Sequence, residues 1–547
     1  MKKYILAALM LPLGATMHAQ SPVDAYQLSQ PDLRGTARFM SMGGAFGALG
    51  ADLSTLSQNP AGIGVYRSSD IGFTLDLNCE RATSDYQGYK QTIDKTKFYL
   101  DNIGIVGTLR LNSSAVPNIN LGFTYNHAAS FNRHYKGGIP NLKTSLSNYI
   151  AGIANNYDLT EADVKTTDNY DPYNSSRYVP WSAILGYDAY LIDPEGNPEA
   201  PDWYGQFGEG TTGRGSYEVK ETGGIDEYNI AIGGNFANTV YWGMNFGITN
   251  VTYDIRSVWG EDLQNAYVFN PDANRVQQMD ARWSLDNLYG LNGNGFNYSL
   301  GVIVKPIQEL RLGLAFHTPT WYSLTENFAP EYLDYSYPFT NPGNDNYAVT
   351  DNEQYSSNDV NLRTPWKVIA SVAGVFGSNC IVSFDYEWTG YKNMKYTDHD
   401  YYYGYDNVWN GTPSAEEETN RMINKMYKNS NTFRVGAEYR VLPSLSLRAG
   451  YSFTSSPVSA EAKDMVANVP TSGTLSSFRL DNDTHFLTFG LGYRYRGLYV
   501  DAAYMWKHQT SDYYPFAPDP SNIAATAMIP KLCFNQSRVV LSLGYRF

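Results

Sequence analysis

Three arginines occupy positions from which they could bind an anionic group. Arg311, Arg434 and Arg448 each lie in a stretch that alternates between apolar and polar side chains, and each falls on the polar side. Successive side chains of a β-strand point to opposite faces, so these guanidinium groups are expected to face away from the apolar side. Because a guanidinium pairs well with a carboxylate, we consider all three as candidates for binding a ligand carboxylate. Acidic residues share these faces, so internal ion pairs are the simpler interpretation.

The chain shows no pattern typical of an enzyme or of a metal site. Neither a GxSxG nor an HExxH motif is present in the sequence. The three cysteines, Cys79, Cys380 and Cys533, are too far apart in the sequence to form a short metal-binding motif. We therefore expect a protein that is not an enzyme and that has no cofactor and no bound metal.

The composition favours an exported β-protein. The 547 residues carry a net charge of −14, and 15% are aromatic while only 17% are charged. The acidic balance argues against nucleic acid as a partner. The one long apolar run, Ile5–Gly14, is too short for a transmembrane helix. It follows Lys2 and Lys3 and precedes Met17-His18-Ala19, which predicts a cleaved signal peptide over residues 1–19.

Period-two alternation recurs from Ile71 to the end of the chain and predicts fourteen strands. Short and long connections follow one another, which is typical of an outer-membrane barrel with short inner turns and long outer loops. The last strand ends in the aromatic residue Phe547. A soluble β-sandwich or propeller is the rival architecture. The predicted strands lie near residues 70–79, 101–111, 118–129, 226–237, 240–254, 294–305, 309–321, 364–376, 380–391, 431–442, 445–455, 484–496, 498–508 and 536–547.

The segment before the first strand is rich in small residues. The run ARFMSMGGAFGALGADLSTLSQNPAGIG contains Asn59-Pro60-Ala61 and resembles the amino-terminal hatch of the FadL family of outer-membrane transporters for hydrophobic compounds. LRLGLAFHTPTWY and LRTPWKV, farther along, resemble segments of its Bacteroidetes members, which are often labelled haemin receptors. The predicted strand number and the terminal Phe547 agree with this family. The resemblance implies an all-β fold, a 14-stranded antiparallel transmembrane β-barrel with an N-terminal hatch (plug) inside the lumen.

The domain organisation then follows as a signal peptide at 1–19, a hatch at 20–68 and a barrel with long extracellular loops at 69–547. The resemblance implies a passive channel for long-chain fatty acids or similar molecules, opened by hatch movement. The hatch motif and its glycines are Gly43, Gly44, Asn59, Pro60, Ala61 and Gly62. Inward-facing apolar side chains could form a ligand pocket, although packing of the hatch against the wall is the simpler interpretation for each of them. The candidates are Phe39, Met40, Met42, Phe46, Val106, Ile303, Ile369, Val375, Ile381, Phe486 and Met505.

Several alternatives remain open at this point. The protein could be a haemin receptor, or its long loops could hold another protein, as in an outer-membrane scaffold or secretion shuttle. Apolar residues at helical spacing between Leu142 and Tyr157 predict an amphipathic loop helix, and residues 400–406 form a tyrosine-rich run. The expected surroundings are outer-membrane lipid and lipopolysaccharide, and we expect a monomer.

Overall fold

The structure is a computed structural model. It describes residues 21–547 apart from 31, 176–178, 271, 337, 340–355, 378, 398–414 and 472. The predicted signal peptide at 1–19 and the tyrosine-rich run at 400–406 lie outside the described residues.

Antiparallel strands close into a fourteen-stranded barrel, which confirms the predicted fold class. The last strand pairs with the first, from Asp70 opposite Arg546 to Asp85 opposite Lys531, so the sheet has no free edge. Four barrel strands are each built from two consecutive segments, namely β3 with β4, β10 with β11, β12 with β13 and β14 with β15. The strands are β1 (Asp70–Tyr86), β2 (Tyr89–Arg110), β3 (Asn118–Ser130), β4 (Arg133–Ile139), β5 (Ile192–Asn197), β6 (Ala200–Gly205), β7 (Thr212–Phe236), β8 (Val240–Asn270), β9 (Arg275–Val304), β10 (Leu310–His317), β11 (Trp321–Tyr335), β12 (Ser356–Arg363), β13 (Lys367–Phe376), β14 (Cys380–Thr389), β15 (Lys395–Thr397), β16 (Ser430–Leu442), β17 (Leu445–Thr454), β18 (Phe478–Tyr495), β19 (Leu498–Tyr514) and β20 (Lys531–Arg546).

Each of the fourteen predicted strands corresponds to a barrel strand, but several are much longer than predicted. Strand β8 has 31 residues and β9 has 30. The expected long connections at 80–100 and 255–293 are mostly strand, and the first closes in a tight turn at Gln87-Gly88. These hairpins continue beyond the apolar stretches from which they were predicted. Their outer halves do not contact lipid, so one face of these strands is no longer regularly apolar.

The two faces of the barrel differ as the alternation predicted. The outer face carries exposed apolar side chains such as Ile71, Leu121, Ile230 and Phe489, which fits contact with lipid. The inner face carries buried residues of several kinds, including Asn120, Asp385 and Ile303. We call the end of the barrel with the long connections the outer end, and the end with the short turns the inner end.

The helices are short and none belongs to the barrel wall. Among the described residues no helix is long and apolar enough to cross a membrane. Helices α1 to α3 belong to the hatch, and α4 confirms the predicted loop helix. The helices are α1 (Pro22–Gln27), α2 (Ala37–Ser41), α3 (Thr55–Gln58), α4 (Leu146–Asn156), α5 (Glu161–Val164), α6 (Trp181–Asp188), α7 (Ala415–Met426), α8 (Ala462–Met465) and α9 (Ile523–Thr526).

The outer end is closed by a large apolar core. We call the connections 140–211, 415–429, 455–477 and 515–530 the outer cap. Aromatic residues dominate its core, and Trp259 from the extended part of β8 packs edge-to-face on Phe516 with ring centroids 5.5 Å apart. Helix α1 at the start of the described chain joins this core through Tyr26, which stacks on Tyr427. From residue 21, the described chain therefore runs from the outer cap inward through the lumen to β1.

Candidate functional site

The Asn59-Pro60-Ala61 triplet organises the inner part of the hatch. The Asn59 side chain accepts a hydrogen bond from the Ala61 backbone N–H and donates one to the Gly47 carbonyl oxygen at 2.5 Å. Pro60 opens the 3₁₀-helix Pro60–Val65, where a missing N–H costs nothing. Asn59 thus ties this turn to the preceding loop, so the triplet gives the hatch its shape.

The hatch glycines allow the backbone to approach the barrel wall closely. Gly43 and Gly44 have φ angles of +62° and +75°, a region that glycine enters without strain. A Cβ at Gly43 would lie 2.9 Å from the Tyr451 backbone nitrogen, and one at Gly62 would contact the Thr55 side chain at 2.6 Å. Small residues here therefore serve close packing, while their role as moving hinges stays a prediction.

The apolar candidates all point inward, as the alternation predicted, but most do not line a cavity. Met40, Met42, Phe46 and Met505 are fully buried in one cluster between hatch and wall. Val106 packs with Leu56 and Ile63 of the hatch, and Ile303 packs with Ala61. Val375 and Ile381 face each other near the inner end. Only Phe39, Ile369 and Phe486 border the cavity described below.

The three candidate arginines occupy different surroundings. Arg448 is buried between Glu438 and Asp501, at 2.6 and 2.5 Å, so internal carboxylates already hold its guanidinium. Arg311 donates to the Leu49 carbonyl oxygen of the hatch at 2.8 Å. Arg434 pairs with Glu387 at 2.8 Å through Nη2 and borders the cavity. Its Nη1 is buried and has no hydrogen-bond partner among the described residues.

A cavity of about 250 Å³ lies in the lumen between the hatch and most of the barrel wall. Strands β3, β7 to β11, β13, β14 and β16 to β18 contribute to its lining, whereas β1, β2, β19 and β20 do not. Residues of the hatch that border it include Leu33, Phe39 and Gln58. The wall residues of the lining are Asn126, His127, Ala128, Ala129, Ile225, Glu227, Asn245, Thr249, Asn297, His317, Thr318, Thr320, Tyr322, Thr364, Pro365, Lys367, Ile369, Glu387, Thr389, Arg434, Ser452, Thr454 and Phe486.

This lining is more polar than the greasy pocket that the sequence suggested. Amide and hydroxyl side chains such as Asn245, Asn297 and Thr320 face the cavity, and apolar side chains such as Phe39 and Phe486 form only part of it. Sequence reasoning missed these polar wall residues because polar side chains are ordinary on the inner face of a barrel. The signal that could have identified them is the clustering of Asn and Thr at the inward positions of neighbouring strands.

Sequence reasoning also missed the buried ion pairs that join the hatch to β1, β2, β19 and β20, and the hatch residues Asp32 and Arg34 of these pairs also border the cavity. Arg538 of β20 is completely buried, and it pairs with Asp76 and Asp101 and donates to the Leu33 carbonyl oxygen of the hatch at 3.1 Å. Arg34 of the hatch pairs with Asp101 at 2.5 Å. Lys507 lies 3.5 Å from Asp32. We call these six residues the charge clamp.

The barrel wall has a gap beside the cavity. Hydrogen-bonded pairing of β2 with β3 stops at Asn102 opposite Asn126, although β2 continues outward to Tyr89. Leu100 and Phe98 just beyond that point are still 40% and 64% exposed, as expected of lipid-facing side chains. His127 and Asp226 fill the gap with a hydrogen bond of 2.8 Å, and Tyr99 stacks on the His127 ring. At this gap, therefore, side chains and not paired strands separate the cavity from the outer face of the barrel.

Comparisons with known proteins agree with this geometry. Residues 249–514 match the model of the family described as outer membrane protein transport protein (OMPP1/FadL/TodX). A Pseudomonas aeruginosa FadL homologue of solved structure is 12% identical, with a TM-score of 0.51, and 94% of this chain and 99% of that chain are covered. The deltaS2 mutant of the TodX monoaromatic hydrocarbon channel is 11% identical, with a TM-score of 0.50 over 94% of this chain and 100% of that chain. The search of curated proteins finds no match. At these identities the structural likeness shows a shared fold.

Proposed function

We propose a transport function for this chain. It belongs to the OMPP1/FadL/TodX family of outer membrane transport proteins, and the match confirms the family that the hatch sequence suggested. Members of this family are outer-membrane channels for hydrophobic compounds and are not enzymes. For this chain, we propose passive uptake of long-chain fatty acids or similar hydrophobic molecules. The ligand enters the lumenal cavity, and movement of the hatch lets it leave.

The observation that carries this proposal is the cavity beside the hatch, whose lining is partly apolar and includes the cations Arg34, Lys367 and Arg434. Phe39, Ile369 and Phe486 supply apolar surface, and burial of such surface contributes about 25 cal/mol per Å². Arg434 borders the same cavity with an Nη1 that has no partner among the described residues. An amphiphile with an acidic head fits both features, with its head at Arg434 and its apolar part against the two phenylalanines.

A compact aromatic compound is the second candidate, and the size of the cavity favours it. An apolar cavity of about 150 Å³ can hold a benzene molecule, so a cavity of about 250 Å³ suits a ring with small substituents. The similar structures include a mutant of the TodX monoaromatic hydrocarbon channel. A fatty-acid chain would need additional space, which a movement of the hatch or of the outer cap would provide.

Two routes lead out of the cavity. The hatch separates it from the inner end, and the gap between β2 and β3 separates it from the outer face of the wall. We propose the hatch route, because hatch residues Ser57 and Gln58 border the cavity directly before the Asn59-Pro60-Ala61 triplet. The gap is the competing exit, and a disulfide that locks the hatch to the wall would distinguish the two.

Ligand affinities on an Arg434→Gln variant test the proposal for the acidic head. We expect oleate to bind about tenfold more weakly, because a charge-assisted hydrogen bond contributes roughly 1.5 kcal/mol or more, while oleyl alcohol keeps its affinity. Arg440→Gln is the matched control, since Arg440 lies on β16 nearer the inner end and does not border the cavity. An equal loss for oleate and oleyl alcohol would rule out the carboxylate role. Strong binding of toluene but not of oleate to the wild-type protein would favour the second candidate.

A further inference from the structure

One histidine connects the wall of the cavity with the backbone of the hatch. His317 is the last residue of β10, where the seventh barrel strand is interrupted before β11. Its ring is buried and borders the cavity. The Nε2 atom lies 2.7 Å from the Gln58 carbonyl oxygen. Because a carbonyl oxygen only accepts hydrogen bonds, Nε2 carries the proton and donates it to the hatch.

The acceptor of this bond belongs to a residue that is also bonded to another part of the hatch and to the barrel wall. Gln58 ends helix α3 and directly precedes the Asn59-Pro60-Ala61 triplet. Its side chain donates to the Gly44 carbonyl oxygen at 2.6 Å and to Asp385 of β14 at 3.0 Å. The last carbonyls of a helix have no partner within it, so His317 supplies a partner that this buried carbonyl oxygen would otherwise lack.

A second histidine in the same cavity provides a natural comparison. His127 also borders the cavity and is nearly as buried, but its hydrogen bond at Nδ1 goes to Asp226 of the wall. No hydrogen bond joins His127 to the described residues of the hatch. The two histidines thus share residue type, cavity and burial, and they differ in whether they hold the hatch.

We infer that His317 is a positioning residue that holds the hatch closed from the side of the cavity, by keeping the Gln58 carbonyl bonded to the barrel wall. The inference extends the proposed hatch movement and assigns a residue to it. Since His317 borders the space that a ligand would occupy, the same imidazole lies within reach of the ligand and of the hatch. Cavity and hatch motif are therefore linked through one side chain.

Hydrogen–deuterium exchange of the full-length protein in detergent tests this inference without any ligand. We expect peptides covering residues 55–66 to exchange on the order of tenfold faster in His317→Asn and His317→Leu, because loss of one buried hydrogen bond costs about that factor in the opening equilibrium. His317→Gln keeps an N–H donor with a longer reach and is expected to remain within about twofold of the wild type. Peptides from β1 serve as an internal reference for barrel integrity.

His127→Leu is the matched control and should leave exchange at residues 55–66 unchanged. If His317→Asn opens the hatch no more than His127→Leu does, or if His317→Gln behaves like His317→Asn, the inference is wrong. The Asn and Gln variants keep a polar side chain, so the comparison remains possible if His317→Leu does not fold. Because no ligand is present, a failure of the proposed transport function appears separately, as absent uptake by the wild-type protein.

Discussion

The two halves of the lumen hold the hatch in different ways. On the side of β1, β2, β19 and β20, the charge clamp fixes residues 32–34 through buried ion pairs, with Arg538 at its centre. On the side of β7 to β14, the hatch contacts the wall near the inner end by hydrogen bonds and close glycine contacts, and the cavity lies above.

This difference assigns separate tasks to the two sides. Breaking a buried ion pair leaves charges without partners and costs several kcal/mol, roughly 3–5. The hydrogen bonds from the hatch to β7–β14, including those to Asp385 and from Arg311, contribute about 1–3 kcal/mol each. A hatch that moves would therefore release first on the side of the cavity and remain attached at the charge clamp.

Replacement of Arg538 by methionine should strongly destabilise the protein. The buried carboxylate of Asp76 would lose its main partner and that of Asp101 would keep only Arg34, so we expect a loss of roughly 3–5 kcal/mol in the free energy of unfolding. Urea titration of the folded barrel, followed by its gel mobility without boiling, measures this. Arg214→Met is the control, because the exposed pair of Arg214 with Asp262 should contribute at most about 1 kcal/mol. Similar losses in both variants would contradict a special role of the charge clamp.

A methyl group at Gly243 should disturb the hatch on the side of the cavity. The Cβ of Gly243→Ala would overlap the Pro60 carbonyl group, and overpacking of this kind costs roughly 1–3 kcal/mol. We expect faster hydrogen–deuterium exchange in residues 60–65 with little change at residues 32–34. Gly107→Ala is the matched control on β2, since its Cβ would meet only the Leu121 carbonyl oxygen at 3.9 Å. Equal exchange at both hatch regions would mean that the hatch responds as one rigid unit.

The outer cap should loosen as the pH rises, independently of the hatch. Burial raises the pKa of Asp193 in the hairpin β5–β6 from its ordinary 3.8 to about 7. The folded hairpin therefore retains a proton that the unfolded chain releases, and its stability falls as the pH rises from about 4 to about 7. We expect exchange of residues 192–205, corrected for intrinsic rates, to become several-fold faster from pH 5 to pH 8.

Asp193→Asn keeps the shape of the side chain without the titration, so its hairpin should lose this pH dependence. A variant that retains the wild-type profile would assign the effect to another group of the outer cap.

The barrel was predictable from the sequence because each strand repeats one simple pattern. Alternation such as that of Leu487, Phe489 and Leu491 follows directly from a wall with lipid on one side, and all fourteen strands could be found this way. The full lengths of β8 and β9 could not be predicted in this way. Beyond the membrane their outer faces meet water, so the alternation of apolar and polar residues ends. Likewise, the two-segment strands depend on local interruptions such as Thr318-Pro319-Thr320, which leave the alternation on either side intact.

The candidate site was less predictable than the fold. The alternation correctly predicted that Met505 and Ile303 point inward. An inward side chain can either pack on the hatch or border a cavity, and both of these residues pack on the hatch. The same limit applies to Arg434 and Arg448, which have the same local pattern. Their different surroundings depend on which acidic residues of other strands come near, and that is set by the register of the whole barrel.

A reversible covalent link between hatch and wall on the side of the cavity tests whether movement of the hatch is required for transport. A Cβ at Gly47 would lie 3.0 Å from the Ser371 Cβ, close to the ~3.5–4.5 Å of a disulfide. Gly47→Cys with Ser371→Cys, in a chain whose three native cysteines are replaced by serine, could therefore be locked by oxidation and released by reduction. The single variant Gly47→Cys in the same background is the control.

We predict that oxidation stops uptake of labelled oleate and toluene by cells that carry the double variant, that reduction restores it, and that ligand binding to the purified protein persists in both states. Equal uptake in the oxidised and reduced states would contradict hatch-gated transport and point to the gap between β2 and β3 as the exit.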